Sequence, residues 1–260
     1  MSMKAMIFAA GLGSRLGAIT QHKPKALVEV GGVPMLKRVI LKLKGAGVSE
    51  FVVNVHHHAS DIEDYLSANE NFGVDIRVSD ERELLLDTGG GLLHARRLLD
   101  GNEPIIVHNV DIMTDFDVAD MVAAHERSRS DATLLVAQRK TSRYLLFDDR
   151  MRMAGWTNVN TGEVRSPWSG DVEPEDLRRL AFGGVHIINP SSVFDVLSEY
   201  GGGENRAFSI TPFYTDSCRR LKINGYIPEE DYNWIDIGKP ESLMAAESIV
   251  AKLRQTPSEG

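Results

Sequence analysis

Ile7-Phe-Ala-Ala-Gly-Leu-Gly-Ser-Arg-Leu-Gly17, with Lys23-Pro24-Lys25 close behind it, is the stretch whose reading decides the fold. Residues 3–9 read as a short apolar strand, and the chain then breaks into a glycine-spaced loop. Gly11 and Gly13 let the backbone bring bare N–H groups against an anion. Arg15 and Lys25 add a guanidinium fork and a point charge, which a triphosphate of about three to four negative charges requires in addition to amides. The spacing is not that of a Walker-A loop, because no Lys follows Gly17. A dinucleotide fingerprint fits poorly too, since the third glycine comes one residue late and Asn54 stands where an acid would be.

Ala9-Ala10-Gly11-Leu12-Gly13-Ser14-Arg15-Leu16 followed by Lys23-Pro24-Lys25 resembles the signature of sugar-1-phosphate nucleotidylyltransferases, the pyrophosphorylases that make nucleotide sugars. The resemblance implies that Arg15 and Lys25 grip the triphosphate and stabilise the phosphoryl transition state. Ala9, Ala10, Gly11, Gly13 and Ser14 would line the nucleotide with them. A second glycine run, Asp87-Thr88-Gly89-Gly90-Gly91, stands ahead of an apolar helix and offers another close approach, so one ligand is expected between the two loops. It is similar to the loop under the nucleobase in uridylyl- and guanylyltransferases of the family, which adds Thr88, Gly89 and Gly90 to the nucleotide site and makes UTP or GTP the expected donor.

Pro104 opens the apolar run 105–110, and Asp111 closes it at the end of a strand, where open α/β sheets bind ligands and a carboxylate can hold Mg²⁺. Tyr232-Asn-Trp-Ile-Asp-Ile-Gly-Lys-Pro240 resembles the family's W-x-D-[IV]-G-[TK]-P, in which the aspartate is the other Mg²⁺ ligand, so Asp236 joins Asp111. Leu180-Ala-Phe-Gly-Gly-Val-His-Ile-Ile188 resembles the strand that passes beside the sugar. Gly183 and Gly184 would let a hexose lie against backbone, and His186 either donates to a hydroxyl or is a core histidine. Asn109 and Trp234 complete the expected sugar-binding set.

Alternating helical and strand patterns place the chain in the α/β class: a three-layer, doubly wound, mainly parallel mixed sheet, Rossmann-like and glycosyltransferase-A-like, with a small β subregion facing the sugar. One catalytic domain is expected over 1–250, with a nucleotide part to about 137, a sugar part over 138–250, and a polar tail over 251–260. No hexapeptide repeats follow Ala246. Pro34 should start a helix; Ser60 with Glu63 should form a capping box; Ser191 and Ser192 should cap a later helix. Asp115 and Asp117 read as a loop and a helix-start residue. Residues 171–180 read as a charged loop, and 219–226 as a strand. Successive histidines 56–58 point to alternate sides of an extended segment, which disfavours shared metal ligation.

A net charge of −8 argues against nucleic acid, the backbone of which needs a basic surface. Cys218 is the sole cysteine, excluding an intramolecular disulfide, and no apolar run approaches the roughly 20 residues of a membrane span, so a cytoplasmic protein, monomer or homodimer, is expected. Two other classes remain: a non-catalytic sugar-nucleotide regulator, because Val110 stands where the family carries glycine, and an NAD(P)-dependent oxidoreductase built on Gly11, Gly13 and Gly17.

Overall fold

The computed structural model describes residues 3–168, 174–203 and 206–255. Strand β1 (Met3–Phe8) leads into 3-10 turns over Ser14–Thr20 and Lys25–Leu27, and a ribbon of β2 (Glu29–Val30) and β3 (Val33–Pro34) delivers α1 (Met35–Gly45). Next come β4 (Val48–Val55), α2 (Ala59–Ala68), β5 (Asp75–Asp80), α3 (Asp87–His94), β6 (Ile105–Asn109), β7 (Ile112–Thr114), α4 (Val118–Ser128) and β8 (Ala132–Ala137). A meander of β9 (Arg143–Phe147), β10 (Met153–Asn158) and β11 (Glu163–Arg165) precedes β12 (Arg178–Ile188), α5 (Pro190–Gly201) and α6 (Ile210–Ser217). The chain closes with β13 (Ile223–Tyr226), β14 (Trp234–Asp236) and α7 (Pro240–Gln255).

Strands β5, β4, β1 and β6 lie side by side and parallel at one end of a ten-stranded sheet. Both faces are covered, which is why these strands are almost continuously apolar. Along β1, Ala5 and Ile7 pack with Leu36, Ile40 and Ile62 on one face, while Met6 and Phe8 pack with Leu92, Val193 and Phe213 on the other. The result is the expected three-layer α/β sandwich. On α1, Met35, Leu36, Val39, Ile40 and Leu43 form the buried stripe, and each such side chain contributes roughly 1.5–3 kcal/mol on burial.

Strand β12 joins the parallel half to the meander. Its carboxyl end pairs antiparallel with β6 and β8, its amino end with β9, and the register breaks between Phe182 and His186. Gly184 sits in that break at φ +73, where a Cβ would meet Ile112 at 2.9 Å and Asn109 at 3.0 Å; at Gly183 it would meet Leu135 at 2.9 Å. The glycine pair therefore bends the strand and packs it against its neighbours, instead of presenting the bare backbone expected beneath a hexose. The parts before and after residue 137 interlock: β12 pairs with β6, and α5 and α6 pack against α3.

Several local expectations give way to other contacts. Ser60 and Glu63 form no capping box: α2 starts after His58, held at φ 56, and Glu63 instead pairs with Arg82. Asn189, followed by Pro190, stands before α5 in place of the two serines. Pro34 precedes α1 as its cap residue, Asp117 caps α4 through the Ala119 N–H at 2.7 Å, and the strand expected over 219–226 is confined to β13. His56 turns to the Glu81 carbonyl and His58 to Asp61, so the histidine run shares no ligand. Helix α7 extends through Gln255 into the expected tail; residues 256–260, and 171–173 of the charged loop, lie outside the described residues. Among the described residues no helix is long and apolar enough to cross a membrane.

Candidate active site

The carboxyl ends of β1, β4 and β6 open into a cavity of about 450 Å³ lined by Phe8, Asn54 and Asn109 from those strands and by the glycine loop over residues 10–15. Gly13 adopts φ 66 and brings its carbonyl to the Thr20 hydroxyl (2.9 Å) and the Leu16 N–H (2.9 Å), which folds the loop back on itself. A Cβ on Gly11 would meet nothing within 4 Å, so the space above that residue belongs to the cavity. The loop is anchored at its root by Asn54, whose Oδ1 accepts the Ala9 N–H at 2.7 Å and the Ala10 N–H at 3.3 Å. Its Nδ2 donates to Glu81 Oε1 at 2.7 Å, and Glu81 Oε2 accepts the Leu86 N–H at 3.0 Å. Burial pushes the Glu81 carboxyl above its ordinary range, opposed by these hydrogen bonds. Asn54 and Glu81 were not among the expected site residues; two isolated polar positions at strand ends carry no spacing signal.

Charged groups collect at one side. Lys25, 8% exposed, is ion-paired with Asp111 Oδ2, and Arg15 Nη2 lies 4.0 Å from Asp236 Oδ2. Strand β14 pairs antiparallel with β7, and the Ile237 N–H donates to the Asp111 carbonyl at 3.0 Å, so the two acids sit on adjoining segments. Gly238 makes this approach feasible: a Cβ there would stand 2.6 Å from the Arg15 guanidinium and 2.7 Å from Asp236 Oδ1. Asp236 Oδ1 also accepts the Gly238 N–H at 2.7 Å. Asp115 is occupied structurally, accepting from the backbone and side chain of Asn233 at 2.6 Å each.

The second glycine run departs from expectation. Gly89 and Gly90 lie inside α3, their N–H groups donate to the Phe208 carbonyl at 2.8 and 3.1 Å, and a Cβ on either would overlap Phe208 or the Arg206 carbonyl. The missing Cβ atoms make room for the backbone of residues 206–208. Asp87, at φ 58, and Thr88 are the residues of this segment that line the cavity. Gly90→Ala should therefore lower the unfolding free energy by about 1–3 kcal/mol through overpacking, measured by denaturant titration.

His186 is a core residue. It is 1% exposed, packed among the rings of Phe8, Phe182 and Tyr214, with neither ring nitrogen hydrogen-bonded among the described residues. Burial pushes its pKa down to about 3, so the folded protein holds it neutral where the unfolded chain, titrating near 6.5, would bind a proton. Stability supported by this neutral ring is complete above 6.5 and is lost as the pH falls toward 3. His186→Phe should remove roughly 1.4 kcal/mol per pH unit from the acid-side slope of stability, read from denaturant midpoints at pH 7 and 5.

Of the remaining expected sugar residues, Asn109 lines the cavity and Trp234 is not on its lining. The indole Nε1 donates to the Gly183 carbonyl at 2.8 Å, and the Arg139 guanidinium stacks on the ring at 3.3 Å from its centroid.

A glycine loop with two cations at the end of one strand, and two acids brought to them from distant segments, is an arrangement that can hold a polyphosphate. The family model described as nucleotidyl transferase matches residues 4–146, and the chain belongs to that family. Within it, the chain is 34% identical over 255 residues to an N-acetylmuramate alpha-1-phosphate uridylyltransferase of Caulobacter vibrioides, covering 95% of this chain and 97% of that one. It is 42% identical over 248 residues to the protein of the same name in Neisseria meningitidis, covering 95% and 98%. A mannose-1-phosphate guanyltransferase of Gibberella zeae is 36% identical over 246 residues, covering 94% of this chain and 63% of that one. Among solved structures, a UDP-glucose pyrophosphorylase complexed with UDP-glucose shares the fold with a TM-score of 0.77 at 19% identity, covering 98% of this chain and 100% of that one.

Proposed function

We propose that the protein transfers the nucleotidyl group of a nucleoside triphosphate, UTP before GTP, to a sugar 1-phosphate, with N-acetylmuramate 1-phosphate the foremost acceptor. The observation that carries the reading is the gathering of Arg15, Lys25 and Asp111 on the lining of the glycine-loop cavity, with Asp236 set against Arg15. Uridine and N-acetylmuramate take precedence because the uridylyltransferases match end to end. An acceptor phosphate oxygen attacks the α-phosphorus, the bond from that phosphorus to the β-phosphate oxygen breaks, and pyrophosphate leaves with the electron pair. No side-chain nucleophile is required, so positioning and charge stabilisation supply the acceleration. Arg15 and Lys25 hold the departing pyrophosphate.

Mg²⁺ fits the donor set. Asp111 and Asp236 present oxygens only, one on each carboxylate being taken up by Lys25 or the Gly238 N–H, and two carboxylates with phosphate oxygens suit an ion that keeps several waters. When bound there it would neutralise phosphate charge. Among the described residues no group of three or more His, Cys, Asp or Glu forms a richer site.

Val110 is compatible with activity: its side chain is 4% exposed and packs in the core, while its N–H donates to the Phe8 carbonyl at 3.1 Å. The Asn54 amide is committed to the loop and to Glu81, which leaves no acid there for a ribose of NAD(P). Cys218, buried and unpaired, accords with a cytoplasmic setting. A matrix of nucleoside triphosphates against sugar 1-phosphates, with Mg²⁺, should release pyrophosphate fastest for UTP with N-acetylmuramate 1-phosphate. Silence across the matrix would leave a binding protein on the same fold.

A further inference from the structure

Beside the nucleotide cavity lies a second one of about 520 Å³, walled by Arg139, Arg143, Arg165, Trp156, Phe182 and Thr211. The two cavities share a wall. Phe182, on the second, and Phe8, on the first, stand either side of His186 with ring centroids 5.7 and 6.5 Å away. Next to Ser209 of the second cavity, Ile210 donates its N–H to the hydroxyl of Thr88, which lines the first, at 2.9 Å.

Its charge is unbalanced. Among the described residues Glu163 is the only acid on the lining, and Arg165 engages it at 2.7 Å. Neither Arg139 nor Arg143 has a carboxylate partner among the described residues, in a protein of net charge −8. Arg139 is largely buried: Nη2 donates to the Phe182 carbonyl, Nη1 is buried without a partner, and the guanidinium plane rests on Trp234. For Arg139 the cost of burial outweighs the favourable charge of Asp236, which forms no salt bridge with it among the described residues, and such a cation is retained where a ligand supplies a closer anion. The 1-phosphate is not that anion, because its transfer belongs with Arg15, Lys25 and the two acids. Planar guanidinium groups, one fixed by stacking, match a carboxylate, and Trp156 and Phe182 offer apolar faces to the arm that carries it.

We propose that this cavity seats the acceptor sugar and that Arg143 and Arg165, with Arg139 behind them as a positioning residue, read a carboxylate on the sugar in addition to its 1-phosphate. The proposal rests on the transferase reading above. It is tested with two acceptors differing only in the carboxylate-bearing ether arm, N-acetylmuramate 1-phosphate and N-acetylglucosamine 1-phosphate, scored by pyrophosphate release with UTP and Mg²⁺. The wild type should favour the acidic sugar by about tenfold or more in kcat/KM. Arg143→Gln and Arg165→Gln change exposed side chains and should shrink that preference by about tenfold, chiefly by raising KM for the acidic sugar. Arg139→Lys, which keeps the charge but loses the planar stack, should also raise that KM while leaving kcat near its starting value. Equal use of both sugars by the wild type, or variants that depress both to the same extent, would overturn the carboxylate pocket alone. No pyrophosphate from either sugar with any triphosphate would overturn the transferase reading and the pocket with it.

Discussion

Asp111→Asn should lower kcat by about a hundredfold or more while leaving the protein folded. The substitution preserves volume, and the backbone links that fix this residue, from Ile237 N–H to its carbonyl and from the neighbouring Val110 N–H to the Phe8 carbonyl, do not involve the side chain. What it removes is the negative charge facing Lys25 and any ion shared with Asp236. Loss of one preorganised electrostatic contact of this kind costs on the order of 3–4 kcal/mol of transition-state stabilisation. Pyrophosphate release at saturating substrates, together with a Mg²⁺ titration, reads the effect: kcat should drop and the Mg²⁺ requirement should rise. Turnover within a few fold of wild type would take Asp111 out of the metal-holding role.

Asn54→Ala should destabilise the fold by about 3–5 kcal/mol and cost catalysis beyond that loss. Three hydrogen bonds disappear together, two from Ala9 and Ala10 and one to Glu81, at a residue 3% exposed. Each buried polar group left unpaired costs about 1–3 kcal/mol, and a carboxylate more. Asn54→Asp should fare no better, since it deletes the donor facing Glu81 and sets two carboxylates against each other. Denaturant midpoints measure the first effect. The second appears as a rise in KM for the triphosphate at a temperature where the variant is still folded, because the loop carrying Gly11 to Arg15 loses its anchor. An unchanged KM in a folded variant would show that the loop holds its shape without Asn54.

The layers of the fold were legible because the strands are covered on both faces, and such runs as Phe51 to Val55 or Ile105 to Val110 cannot be read as anything else of that length. Arg15 and Lys25 stood out beside the glycine loop, Asp111 by closing an apolar strand, and Asp236 through the resemblance of its segment to a family motif; Arg15, Lys25 and Asp111 line one cavity, and Asp236 lies against Arg15. Glycine was the unreliable signal. Gly11 and Gly13 belong to an open loop, whereas Gly89, Gly90, Gly183 and Gly184 serve backbone packing, and a lone letter G does not say whether the missing Cβ makes room for a ligand or for a neighbouring strand. His186 was ambiguous for the same reason, since burial among three aromatic rings is a tertiary fact. Asn54, Glu81 and Arg139 act through partners distant in sequence, and no local pattern marks them.

Asp236 arrives by way of β14, which is laid against β7 only after every strand of the main sheet has been made, and α7 then buttresses the ribbon and turns around Leu16, Val28 and Val30. The nascent chain carries its glycine loop, both cations and the first acid long before the second is synthesised, and a premature stop between Tyr226 and Trp234 would yield a polypeptide with every strand of the main sheet but without Asp236.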